Sequence, residues 1–152
     1  MPITERIDSA EKVHHWNDAI PFRYEYTAGV AGERFLRGLM QGRLVGGRCE
    51  RCDVTFLPAK IYCVKCFGRI EKFVSVPLVG RVAAISGGGR RRREGEPARG
   101  FAFVTFEDVQ GGLVHRTVAG SRLRIGSRAR VKFRPKSERK GSILDIDGFE
   151  QA

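Results

Sequence analysis

Cys49-Glu50-Arg51-Cys52 and Cys63-Val64-Lys65-Cys66 hold every cysteine of this 152-residue chain, as two matched C-x-x-C pairs with ten residues between them. Each pair can curl into a tight knuckle that offers two thiolates, and two knuckles brought together make a tetrahedral four-sulfur site suited to zinc. Sulfur fills all four positions and leaves none for water, so the predicted ion is structural rather than hydrolytic. Cys49, Cys52, Cys63 and Cys66 are therefore the predicted ligands and zinc the predicted cofactor. Two other readings compete with this one. A redox C-x-x-C needs only one pair, and a disulfide scaffold needs a secretory context.

Outward from the cysteines, Leu44-Val45-Gly46-Gly47-Arg48 leads into the first pair as a short strand. Val54 through Pro58, and Lys60-Ile61-Tyr62, read as the two sides of a hairpin between the pairs, with Pro58 restricting it to an edge. A unit this small needs its ion to fold. Upstream, residues 31–41 read as a helix, because Phe35, Leu36, Leu39 and Met40 make one apolar stripe and Gly42 stops it. The stripe either packs on its own domain or, on an arm too far from a core, waits for a partner. Phe35, Leu36, Leu39 and Met40, with Trp16 from the mixed first segment, are the residues expected to meet one.

Downstream, short strands recur between turn residues, at 73–76, 80–86, 101–106, 112–118, 129–133 and 142–147. This pattern fits a small closed barrel, of the OB or SH3-like kind. The predicted fold is mainly β, with an N-terminal helical arm (1–42), a zinc ribbon (43–70) and a C-terminal OB-fold barrel (71–152).

The net charge is +11 and the sequence pI about 10.2, which favours an anionic partner. From Arg122 to Lys140 there are nine Lys or Arg and one acid, a net of +8. Within it, Arg128, Arg130, Lys132 and Arg134 alternate with Ala129, Val131 and Phe133, which puts the cations on one strand face. The run Arg90, Arg91, Arg92 and Arg93 sits in a glycine-rich stretch that reads as a loop able to engage phosphates. A solvated basic surface is the plainer alternative. No nucleophile elbow or Walker loop occurs. His115 lies on a strand without a neighbouring acid, and Asp145 and Asp147 read as one strand edge, so no catalytic residue is assigned. The start Met1–Arg6 lacks a basic-then-apolar leader, and no stretch approaches about 20 apolar residues. The expectation is a soluble, cytoplasmic protein with no membrane contact.

Phe35-Leu36-x-Gly38-Leu39, the approach Gly42-Arg43-Leu44-Val45-Gly46-x-Arg48-Cys49 and the two knuckles resemble one known family. Gly80-Arg81-Val82, Ala102-Phe103-Val104-x-Phe106-Glu107-Asp108 before Gly111-Gly112, and Ile125 through Val131 extend the match. The chain is similar to OB-fold, acyl-CoA-associated proteins with a rubredoxin-like zinc ribbon, the small partners of thiolase-like enzymes. The resemblance implies an accessory subunit for a thiolase, acyltransferase, hydratase or aldolase that handles acyl-CoA; a chain that binds such a partner is expected to be aggregation-prone or self-associated when purified alone. The family's Pro-Pro-Arg before the second knuckle is Pro58-Ala59-Lys60 here, and the Arg90–Arg93 insert is unusual. A nucleic-acid-binding module is the competing class. Against it, the apolar partners on the basic strand point inward and leave no stacking platform there.

Overall fold

A computed structural model describes residues 25–86 and 100–152. Helix α1 (Gly29–Met40) is followed by β1 (Leu44–Cys49), β2 (Val54–Leu57), β3 (Lys72–Val76), β4 (Val79–Ile85) and β5 (Phe101–Thr105). Then come β6 (Val109–Gly111), β7 (Leu113–Arg116), β8 (Arg128–Phe133) and β9 (Ile146–Gln151). No helix among the described residues is long and apolar enough to cross a membrane.

Helix α1 ends as its sequence requires. Gly42 takes a left-handed φ of 76°, and Arg43 and Gly42 donate back to the Gly38 and Leu39 carbonyls at 2.9 Å each. This paired return satisfies carbonyls that the helix end would otherwise leave open. A Cβ at Gly38 would stand 2.5 Å from Val45 Cγ2, so only glycine lets the helix lie this close to β1. The apolar stripe is thereby covered by the chain itself. Phe35 and Leu39 are buried in one core with Leu44, Leu57, Val104, Ile146 and Phe149, and Leu36 packs against it. This corrects the expectation that Phe35, Leu36 and Leu39 await a partner; Met40 alone of that group is exposed. Trp16 lies outside the described residues.

The strands form two sheets, ordered β3-β1-β2-β6 and β7-β5-β4-β8-β9. The second closes on itself where Thr117 bridges Phe149 in parallel and Val118 N–H donates to the Phe149 carbonyl at 2.8 Å. Closure removes the exposed edges that an open sheet would carry, which is the five-stranded OB arrangement. Strand β3, read from sequence as part of the barrel series, pairs instead with β1 along its length. A second revision concerns 142–147. Ile143–Asp145 is a 3-10 turn capped by Ser142, and the strand begins only at Ile146. The cause is the buried Asp145 carboxylate, which accepts N–H bonds from Lys140, Gly141 and Ser142 at 2.8–3.2 Å. Such local bonds compete with strand pairing. Burial opposes its ionisation, but the three donors and nearby Arg139 outweigh that and hold its carboxyl below the usual range. Asp145 and Asp147 therefore do not share a strand edge.

Candidate metal centre

Both knuckles sit at the end of the first sheet, on separate hairpins. Strand β1 delivers Cys49, which pairs with Val54 of β2 across the first turn. The second knuckle is closed by its own bridge, Tyr62 to Arg69. The expected pairing of Lys60-Ile61-Tyr62 with β2 is therefore replaced, because β2 already has β1 on one side and β6 on the other. Within the second turn, Cys63 N–H donates to the Gly68 carbonyl and Phe67 N–H to the Cys63 carbonyl, each at 2.9 Å. Lys65 N–H points at Cys63 Sγ, 3.4 Å away. Backbone donors aimed at sulfur favour its thiolate form.

The four sulfurs lie within 4.8 Å of one another, and Cys49 Sγ is 3.7 Å from Cys66 Sγ. A tetrahedron with metal–sulfur bonds of about 2.3 Å has sulfur–sulfur edges of about 3.8 Å, whereas a disulfide needs about 2.05 Å. The cysteines are free thiols, so the donor set fits zinc and excludes the disulfide reading. Hydrogen bonding to Cys66 heads the causes that push Cys52 up to about 12, with burial next. Burial also opposes ionisation of Cys63, but N–H donors from Cys66 and Lys65 bring it down to about 6. A cation among the four sulfurs removes this conflict by holding all of them ionised. Cys49, Cys63, Phe56 and Ile70 form a small core of their own around the site, so the ion and this cluster together make the ribbon's interior. The site is a structural zinc clamp.

Sequence reasoning did not single out the residue that follows each knuckle. Asp53 and Phe67 both take left-handed backbone, at φ 51° and 55°. Asp53 pairs with Arg48, while Phe67 is 82% exposed. The available signal was positional: each directly follows the second cysteine of its pair, where the chain must reverse.

The basic strand keeps its predicted alternation. Arg128, Arg130 and Lys132 are exposed on β8, and Ala129 and Val131 are buried. Lys132 lies 3.7 Å from Glu150. Arg134 falls beyond the strand, after a register shift at Lys132/Phe133, and lies 4.0 Å from Glu138. It is only partly exposed and does not continue the ladder. Arg90, Arg91, Arg92 and Arg93 lie outside the described residues. His115 is buried, edge-on to Phe149, and burial, then nearby Arg116, lowers its pKa. It is a core residue of the barrel.

Residues 37–71 match the family described as the ChsH2 rubredoxin-like zinc ribbon domain. Among solved structures, the chain is similar to a DUF35-family protein of unknown function from Sulfolobus solfataricus. The identity is 29% and the TM-score 0.59, covering 68% of this chain and 76% of that one. It is also similar to a structure described as the Ltp2-ChsH2(DUF35) aldolase, at 19% identity and a TM-score of 0.58, covering 78% of this chain and 91% of that one. At the lower identity the likeness is one of fold. No curated protein matches the chain. Residues 37–71 are thus a ChsH2-type rubredoxin-like zinc ribbon, borne on a chain with the OB-barrel fold of DUF35 proteins.

Proposed function

We propose that this protein is a non-catalytic accessory subunit that docks on a thiolase-like enzyme, or a related aldolase, acyltransferase or hydratase, and helps position an acyl-CoA. The observation that carries this reading is the union of the ChsH2-type ribbon with an OB barrel, the fold shared with a structure described as an aldolase complex. The chemistry of the chain agrees. Its thiolates are committed to an ion, and among the described residues the other buried ionisable groups are Asp145, bonded to its own backbone, and His115, packed edge-on against Phe149. The exposed cations of β8 offer charge to the phosphates of coenzyme A.

Co-purification from native extract tests the reading. The expected result is a thiolase-like subunit in fixed ratio, whose turnover of a CoA thioester depends on this chain. A protein that stays strictly monomeric, finds no such subunit and has no affinity for acyl-CoA would refute it. Reversing charge with Arg128→Glu and Arg130→Glu should weaken acyl-CoA binding without loss of zinc. A second reading, single-stranded nucleic acid, is favoured by one observation. Phe101 on β5 is 58% exposed and faces Arg116 across the strand pair, an aromatic and a cation side by side on the barrel exterior. Binding of a thymidine oligonucleotide that weakens steeply with salt and is lost in Phe101→Ala would support it.

A further inference from the structure

Phe67 stands in a conformation that its side chain opposes. A left-handed φ crowds the Cβ of any L-residue, and for a bulky residue it is an outlier that glycine would avoid. The backbone bonds that shape the turn, from Phe67 N–H to Cys63 and from Cys63 N–H to Gly68, need no ring at this position. The ring is 82% exposed, so the protein's own core gains nothing from it either. Strain and exposure at one residue, with no internal return, point outward.

Its neighbours share the exposure. Tyr62 is 56% and Val64 49% exposed, so three large apolar side chains lie in water within six residues. Val64 also lines a groove of about 310 Å³ between ribbon and barrel, with Phe56, Leu57, Pro58 and Phe103. Lys60, Lys65 and Arg69 border this apolar surface and are exposed; the acids nearby are Glu71, 4.0 Å from Arg69, and Asp53 and Asp108, which line an adjoining hollow with Lys65 and Arg48.

We infer that the second knuckle is a docking tip for another protein, inserting Phe67, Tyr62 and Val64 into an apolar pocket rimmed by carboxylates. The charge selects that occupant over a second copy of this chain, since two molecules of net charge +11 repel while an acidic rim attracts. The inference deepens the accessory-subunit reading and rests on it for the partner's class. It moves the contact from the helix stripe, which the chain covers itself, to the zinc ribbon.

The test is a selection of displayed random peptides against the zinc-loaded full chain, with each enriched peptide then measured against Phe67→Gly and Tyr62→Ser. The expected peptides carry apolar residues beside Asp or Glu and lose about tenfold or more in affinity on Phe67→Gly. The variant should keep its zinc and melt at the same temperature or higher. Equal affinity for wild type and variant, basic peptides, or no enrichment would overturn the inference. So would a Phe67→Gly protein that loses zinc or melts lower, because the ring would then be structural. Loss of oligonucleotide binding in Phe67→Gly, with no effect on peptides, would reassign the tip to nucleic acid and overturn it as well. None of these measurements uses an acyl-CoA enzyme, so they can fail while the accessory role stands, or hold while it falls.

Discussion

The two knuckles present the same ligand spacing and reverse the chain at the same left-handed position, yet they fill that position differently. The first uses Asp53, whose short polar side chain tolerates the conformation and pairs with Arg48. The second uses Phe67, which has neither advantage. Metal geometry alone therefore explains the first knuckle and leaves the second unexplained. What the difference teaches is that a metal knuckle asks only for sulfur spacing and a reversible backbone, so the residue after it is available for another task.

If the knuckles are equal as ligand donors, breaking either has the largest effect. Cys49→Ser and Cys63→Ser should each take the bound metal from about one zinc per chain to none. Amide exchange across β1 to β3 should then rise, read by metal analysis and mass spectrometry. A variant that kept its zinc would show that one knuckle dominates. A smaller effect should come from a β-branched residue at the shared position. Asp53→Val should lower stability by about 1–2 kcal/mol in urea titrations, since the left-handed region excludes such side chains, whereas Phe67→Val replaces one crowded side chain by another and should cost less.

Glycine sharpens the contrast. Phe67→Gly relieves about 1–2 kcal/mol of crowding and adds about 0.5–1 kcal/mol of chain flexibility. Its stability should hold or rise by up to about 1.5 kcal/mol. Asp53→Gly starts from a tolerated residue and also loses the Arg48 pair, so it should gain less. The smallest effect belongs to Arg48→Ala. An exposed pair contributes at most about 1 kcal/mol, and the difference from wild type should shrink as salt is added.

Much of the architecture was legible because it is local. The cysteine spacing marks the metal site without help from the rest of the chain, and the alternation in β8 assigns Ala129 and Val131 to the core and Arg128, Arg130 and Lys132 to water. Residues 142–147 misled because alternation cannot reveal that Asp145 will gather three backbone donors. The helix stripe shows the complementary failure. Its period announces a face to be buried but says nothing of what buries it.

By itself, then, the sequence determined the zinc quartet, the helix stop at Gly42, the run of short strands and the strong basic charge. Each follows from residues close along the chain, where spacing and backbone preference act directly. Only the tertiary structure decided that α1 lies on its own core, that β3 joins the ribbon sheet, that Tyr62 bridges Arg69, and that Phe67 stands exposed in a strained turn. These depend on which distant surfaces meet. Hydrophobic burial is non-directional, so one apolar stripe can be covered in many ways until the rest of the chain selects one.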